Sequence, residues 1–170
     1  MSVAFRRESD DEHLEPKFEL PIPPGPNLVT PRGLALIGAK IEELETALDA
    51  LGDVPVGREA AKTQEGAQAE ALRRDLRYWR TRHATAELAP PPDDDEAGIG
   101  TAITFRLGGT ERRIEIVGHD EADPDAGRIA FTAPLARALV GAATGERVDF
   151  NGVEEAIEIL AIAPLTGTGT

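Results

Sequence analysis

The residues able to do chemistry in this chain are few, and their spacing narrows what that chemistry is. Cysteine is absent and histidine occurs only at His13, His83 and His119. That removes disulfides, thiolate metal sites and cysteine nucleophiles together, and fits a reducing compartment. No zinc-protease helix motif, phosphate-binding loop or nucleophile elbow occurs, so the common hydrolase chemistries have no support. The acidic group Asp120, Glu121, Asp123 and Asp125 lacks the spacing and closing glutamate of a calcium loop. It reads either as a solvated turn or as a docking surface for a basic partner. Arg73, Arg77 and Arg80, with Arg74 beside them, recur at helical spacing. They form either a plain solvated face or a contact for an acidic or nucleic-acid-lined target. Asp53, Glu59 and Glu65 are carboxylates in or beside a glycine- and proline-containing connection. No metal site is expected.

The elements that must carry these residues are legible from periodicity. Thr30 reads as an N-cap followed by Pro31 at the first helical position. Leu34, Ile37, Ile41, Leu44, Leu48 and Leu51 then recur at alternating spacings of three and four, the seam of a coiled coil. Gly52 ends it. A second series, Ala69, Leu72, Leu76, Trp79, His83 and Ala86, repeats the spacing. Two seams joined by residues 52–66 predict an antiparallel helical hairpin over 30–89, with His83 packed on the seam. On this register the arginine face points away from the seam.

Beyond a linker at 90–99, which opens on Pro90-Pro91-Pro92-Asp93-Asp94-Asp95, the period changes to two. Ile103, Phe105 and Leu107 alternate, Gly108-Gly109 supplies a tight turn, and Ile114 and Ile116 alternate again. Further strands are expected at 128–132, 147–151 and 156–162, with a short helix at 135–140. The class is α+β: a coiled-coil hairpin followed by a mainly antiparallel β domain over 100–163. Residues 1–29, acidic and proline-rich, are expected to be disordered, and 164–170 frayed.

Charge is unevenly distributed. The whole chain of 170 residues carries a net charge of -13, which disfavours direct binding to nucleic acid. Residues 58–82 nevertheless hold seven basic and four acidic side chains. A locally basic rod therefore sits beside an acidic C-terminal unit. No run of eighteen apolar residues exists to cross a membrane, and a cytoplasmic monomer is expected.

The order of parts carries a resemblance. The segments Ile116-Val117-Gly118-His119-Asp120-Glu121-Ala122-Asp123 and Ala133-Pro134-Leu135-Ala136-Arg137-Ala138-Leu139 resemble two C-terminal motifs of the GreA/GreB family of bacterial transcript-cleavage elongation factors. Thr30-Pro31-Arg32-Gly33 resembles the opening of that family's first helix, and Leu76-Arg77-Tyr78-Trp79 a stretch of its second in the GreB branch. The resemblance covers about residues 30–163.

It implies an FKBP-like C-terminal domain that docks on the rim of the RNA polymerase secondary channel. Asp120, Glu121, Ala133, Pro134, Leu135 and Arg137 would be the docking residues, with Arg73, Arg77 and Arg80 facing the channel or RNA. Nucleic acid would be met only indirectly, inside the polymerase complex. In cleavage factors, acidic residues at the hairpin tip help hold a second magnesium at the polymerase's active centre. The polymerase remains the enzyme, and the factor has no cofactor of its own beyond this shared Mg2+.

Here the tip departs from the family. Gly52-Asp53 matches, but Val54, Pro55, Val56 and Gly57 follow with no glutamate three residues after Asp53. The first helix also reads about eleven residues short, which at ~1.5 Å per residue leaves a carboxylate up to about 16 Å farther from the metal. The expectation is regulation by channel occupancy without efficient cleavage. Two alternatives stand beside it: an active cleavage factor using Asp53 with Glu59 or Glu65, and a prolyl isomerase or unrelated adaptor. The domain's few aromatics, Phe105 and Phe131 among them, disfavour the isomerase pocket.

Overall fold

The computed structural model describes residues 19–166. Two helices form the N-terminal half, α1 (Pro31–Ala50) and α2 (Gln64–Ala84). Thr30 caps α1 by accepting the Gly33 amide at 2.9 Å, with Pro31 in the first turn. Thr63 caps α2 in the same way, accepting from Gly66 at 3.0 Å. The helices pack through the expected seam: Ile37, Ala69 and Leu76 are buried, and Leu44, Leu48 and Leu72 half-buried.

The seam fails at its C-terminal end. His83 is exposed and Ala86 lies beyond the helix, in a strand. Arg82 is buried there instead, 1% exposed. The cause is a change of neighbour: at its base α2 packs against the segment before α1 and against the β domain, so a different face turns inward.

That preceding segment is a second correction. Residues 1–18 of the expected disordered tail lie outside the described residues. Asn27–Val29 form strand β1, paired in parallel with β2 (Ala86–Leu88). Asn27 donates to the Arg82 carbonyl at 2.7 Å, and Val29 is buried. These bonds are satisfied only by the chain beyond α2, a non-local pairing that local composition does not reveal.

The C-terminal half is a five-stranded sheet in the order β5-β4-β3-β7-β6. Its strands are β3 (Thr101–Leu107), β4 (Thr110–Val117), β5 (Arg128–Ala130), β6 (Arg147–Phe150) and β7 (Val153–Pro164). All neighbours are antiparallel except β4 and β5. Gly108 and Gly109 both have positive φ, 60° and 79°, as a two-residue hairpin turn of this hand requires. Helix α3 (Pro134–Leu139) covers one face, closing a core of Ile103, Phe105, Ile116, Leu139, Ile157 and Ile159. The proline-rich linker is shorter than 90–99 suggested: Ala97 joins this core, donating its amide to the Ala142 carbonyl at 2.9 Å, and Glu96 bridges to Ala143.

Candidate functional site: the joint, the groove and the tip

Polar side chains gather at the junction between hairpin and β domain, in the groove between the two helices, and at the hairpin tip.

At the junction, a 3-10 turn at His119–Glu121 follows β4 and points two carboxylates into the base of the hairpin. Asp120 accepts from Arg82 Nε at 2.6 Å and from the Tyr78 hydroxyl at 2.6 Å. The Arg82 and Asp120 side chains are 2% and 5% exposed. Arg82 also donates to the Asn27 side-chain oxygen, so one guanidinium ties α2 to both β1 and the β domain. Glu121, equally buried, accepts from Thr30 Oγ1 at 2.5 Å and from Arg32 Nε. Arg32 reaches on to Glu115 at 3.0 Å. Two glycines allow the approach: a Cβ on Gly33 would stand 2.8 Å from Glu121 Oε2, and one on Gly118 2.7 Å from the Leu28 carbonyl.

Titration follows from these contacts. Burial, then the hydrogen bond to Asp120, pushes the Tyr78 phenol up to about 12. Burial and the Arg82 charge lower His119. The hydrogen bond to Glu121 is the largest of the effects that raise Arg32.

The expectation that Asp120 and Glu121 form an exposed docking surface is therefore corrected. Both carboxylates are consumed inside the chain, because a buried charge must be paired where it lies. The motif residues Thr30, Arg32, Gly33, Gly118, Asp120 and Glu121 build one joint from two distant segments. Asn27 and Arg82, also essential to it, had no signal beyond polar residues at positions where a seam or a tail was expected. Of the other docking candidates, Pro134 and Arg137 are exposed on α3, while Ala133 and Leu135 are half-buried.

In the groove, Arg73, Arg77 and Arg80 line a cavity of about 440 Å³ with Glu45, Leu48 and Asp49. They face α1 rather than pointing away from it, a correction to the face assigned from periodicity. Arg80 pairs with Glu45 at 2.7 Å and Arg77 with Glu19 at 3.2 Å. Arg73 donates to the Val54 carbonyl at 2.8 Å and holds the tip loop.

At the tip, Asp53, Glu59 and Glu65 are exposed, and Glu59 is paired with Lys62 at 2.8 Å. No three histidine or acidic side chains among the described residues form a group able to hold a metal ion. The tip presents Val56 instead, 78% exposed.

Comparison with known proteins follows the same division. Residues 92–164 match the family model described as transcription elongation factor, GreA/GreB, C-term. The similarity reaches the hairpin as well: transcription elongation factor GreA of Lactococcus lactis subsp. cremoris is 31% identical over 134 residues, covering 71% of this chain and 86% of that protein. The chain belongs to the GreA/GreB family. GreA of Rhizobium etli is 44% identical, but over 55 residues, 35% of its length. Among solved structures, Thermus thermophilus GreA factor homolog 1 is 14% identical with a TM-score of 0.35, covering 82% of this chain and 99% of that one. A GreA/GreB factor of Nitrosomonas europaea is 18% identical at 0.36, covering 82% and 98%. Of the segments that resemble the GreA/GreB motifs, the joint accounts for Thr30, Arg32, Gly33, Gly118, Asp120 and Glu121.

Proposed function

We propose that this chain is a transcription elongation factor that binds bacterial RNA polymerase through its C-terminal domain and directs the hairpin into the secondary channel. It modulates elongation by occupying that channel and does not stimulate transcript cleavage efficiently. Membership of the family supports the partner. The observation that carries the rest is the tip, where an exposed valine stands among Val54, Pro55 and Gly57 and the nearest carboxylates are dispersed or paired. Magnesium ligation needs oxygens placed to within tenths of an ångström, and dispersed exposed side chains do not supply that.

Docking falls to the exposed part of α3, Pro134 and Arg137, with Val140 beside them at 48% exposure. An apolar residue rimmed by a guanidinium is a common anchor composition for protein interfaces. The deciding experiment adds the protein to stalled elongation complexes. Binding to core polymerase that is weakened by Arg137→Glu, with no magnesium-dependent shortening of the transcript, is the expected result. Transcript shortening that is lost in Asp53→Ala or Glu65→Ala would overturn the occupancy reading and establish a cleavage factor. Absence of binding would overturn the partner.

A further inference from the structure

The groove between the helices holds a contact that the polymerase reading does not use. Glu19, at the start of the described chain, accepts from Arg77 Nε at 3.3 Å and Nη2 at 3.2 Å. Eight residues later, Asn27 is fastened to the Arg82 carbonyl and the Thr85 hydroxyl. Followed backwards from Asn27 to Glu19, the chain therefore travels along α2 from its base toward the tip. The next basic side chains in that direction are Arg74 and Arg73. From Arg77 to Arg73 is about 6 Å along a helix.

We propose that the arginine-lined groove of the hairpin is the docking site for the acidic N-terminal segment of this same chain, residues 8–15. Five of those eight residues are acidic: Glu8, Asp10, Asp11, Glu12 and Glu15. Glu15 lies four residues before Glu19, a reach of up to about 14 Å, longer than the distance along the helix from Arg77 to Arg73. The groove has three guanidiniums against the carboxylates of Glu45 and Asp49, with Leu48 and Leu76 also lining it and Glu70 paired to Arg73 at 3.4 Å. Each guanidinium has five donors, and the contacts made by Arg77 and Arg80 engage only some of them. Arg77 and Arg80 are 59% and 61% exposed, open to a further carboxylate.

Single exposed ion pairs contribute little. The arm succeeds by tethering: Glu19 holds it at the groove, which gives its carboxylates an effective concentration of order millimolar. An acidic ligand of the hairpin from outside must then displace the arm. This inference stands apart from the polymerase reading, since it concerns contacts within one chain.

The absence of cysteine allows a direct test. A nitroxide placed through Ser9→Cys on the full-length, nitrogen-15-labelled chain reports which amides the arm approaches. Signals of residues 70–80 should be attenuated several-fold at low salt. The attenuation should vanish in about 1 M salt, where the screening length is ~3 Å. It should also vanish in Asp10→Lys/Asp11→Lys/Glu12→Lys and in Arg77→Glu. Even attenuation across the protein, a maximum elsewhere, or a pattern unchanged by charge reversal would overturn the proposal. Mixing nitroxide-bearing chains of natural isotope with nitrogen-15-labelled chains that carry no nitroxide tests the other occupant. Attenuation in that sample would assign the groove to a second copy and overturn it too.

Discussion

Asp120→Ala is the substitution whose cost the structure determines best. It leaves Arg82, whose side chain is 2% exposed, without its carboxylate and the Tyr78 hydroxyl without its acceptor. Removing one member of a buried ion pair costs about 3–5 kcal/mol, because the survivor stays charged and dry. Asn27 still accepts from Arg82, which lessens the penalty on the surviving guanidinium by about as much as the roughly 1 kcal/mol lost with the Tyr78 hydrogen bond. A total of about 3–5 kcal/mol corresponds, for a chain of this size, to a melting temperature lower by roughly 6–20 °C. Arg82→Met should fall in the same range. The double variant Arg82→Met/Asp120→Ala removes both charges and should cost less than the sum of the singles by several kcal/mol. Urea unfolding should be followed by circular dichroism and by the fluorescence of Trp79, the only tryptophan. Its ring meets Tyr78 edge-on at 5.3 Å and so reports from beside the joint. A single variant within about 1 kcal/mol of the parent, the range of exposed pairs, or strict additivity in the double, would refute the buried-pair reasoning.

Three further outcomes follow from the same region. Gly118→Ala places a methyl 2.7 Å from the Leu28 carbonyl; overpacking of about 1–3 kcal/mol should appear in a thermal melt, with faster hydrogen exchange confined to Asn27–Val29. Tyr78, raised from 10.0 to about 12 when folded, stays protonated in the native state where the unfolded chain ionises. Its contribution is full below pH 10 and lost as pH rises from 10 toward 12, so Tyr78→Phe should flatten alkaline unfolding curves in that window. His119 is lowered from 6.5 by burial and by Arg82, so the unfolded chain takes up the proton first. Stability present above pH 6.5 should decline as pH falls below it, and His119→Gln should remove that decline in acid titrations.

How far the sequence could be read depended on whether a feature was local. The helical seams, the Thr30 cap, the glycine turn at 108–109 and the alternating strands are set by neighbours within a few residues, and each left a period or a turn signature. Strand β1 left none, because three residues between prolines and a helix cap become a strand only when Ala86–Leu88 arrives beside them. Arg82 is the sharper case. A basic residue one position from an apolar series reads as solvated, yet it is buried because Asp120, 38 residues away, meets it there. The same distance hid the use of Asp120 and Glu121. A resemblance shows that such residues matter, and only geometry distinguishes a surface for a partner from a joint within the chain. Arg73, Arg77 and Arg80 were correctly placed on one helix, but which side faced α1 depended on a register that charge alone does not fix.

The joint has a mechanical consequence. Helix α1, with twenty residues, is a lever about 30 Å long whose fulcrum is a handful of hydrogen bonds around two carboxylates. At that length, a tilt of roughly 10° at the base sweeps the far end through about 5 Å. Substitutions at the joint can therefore re-aim the far end of the hairpin without altering any residue there.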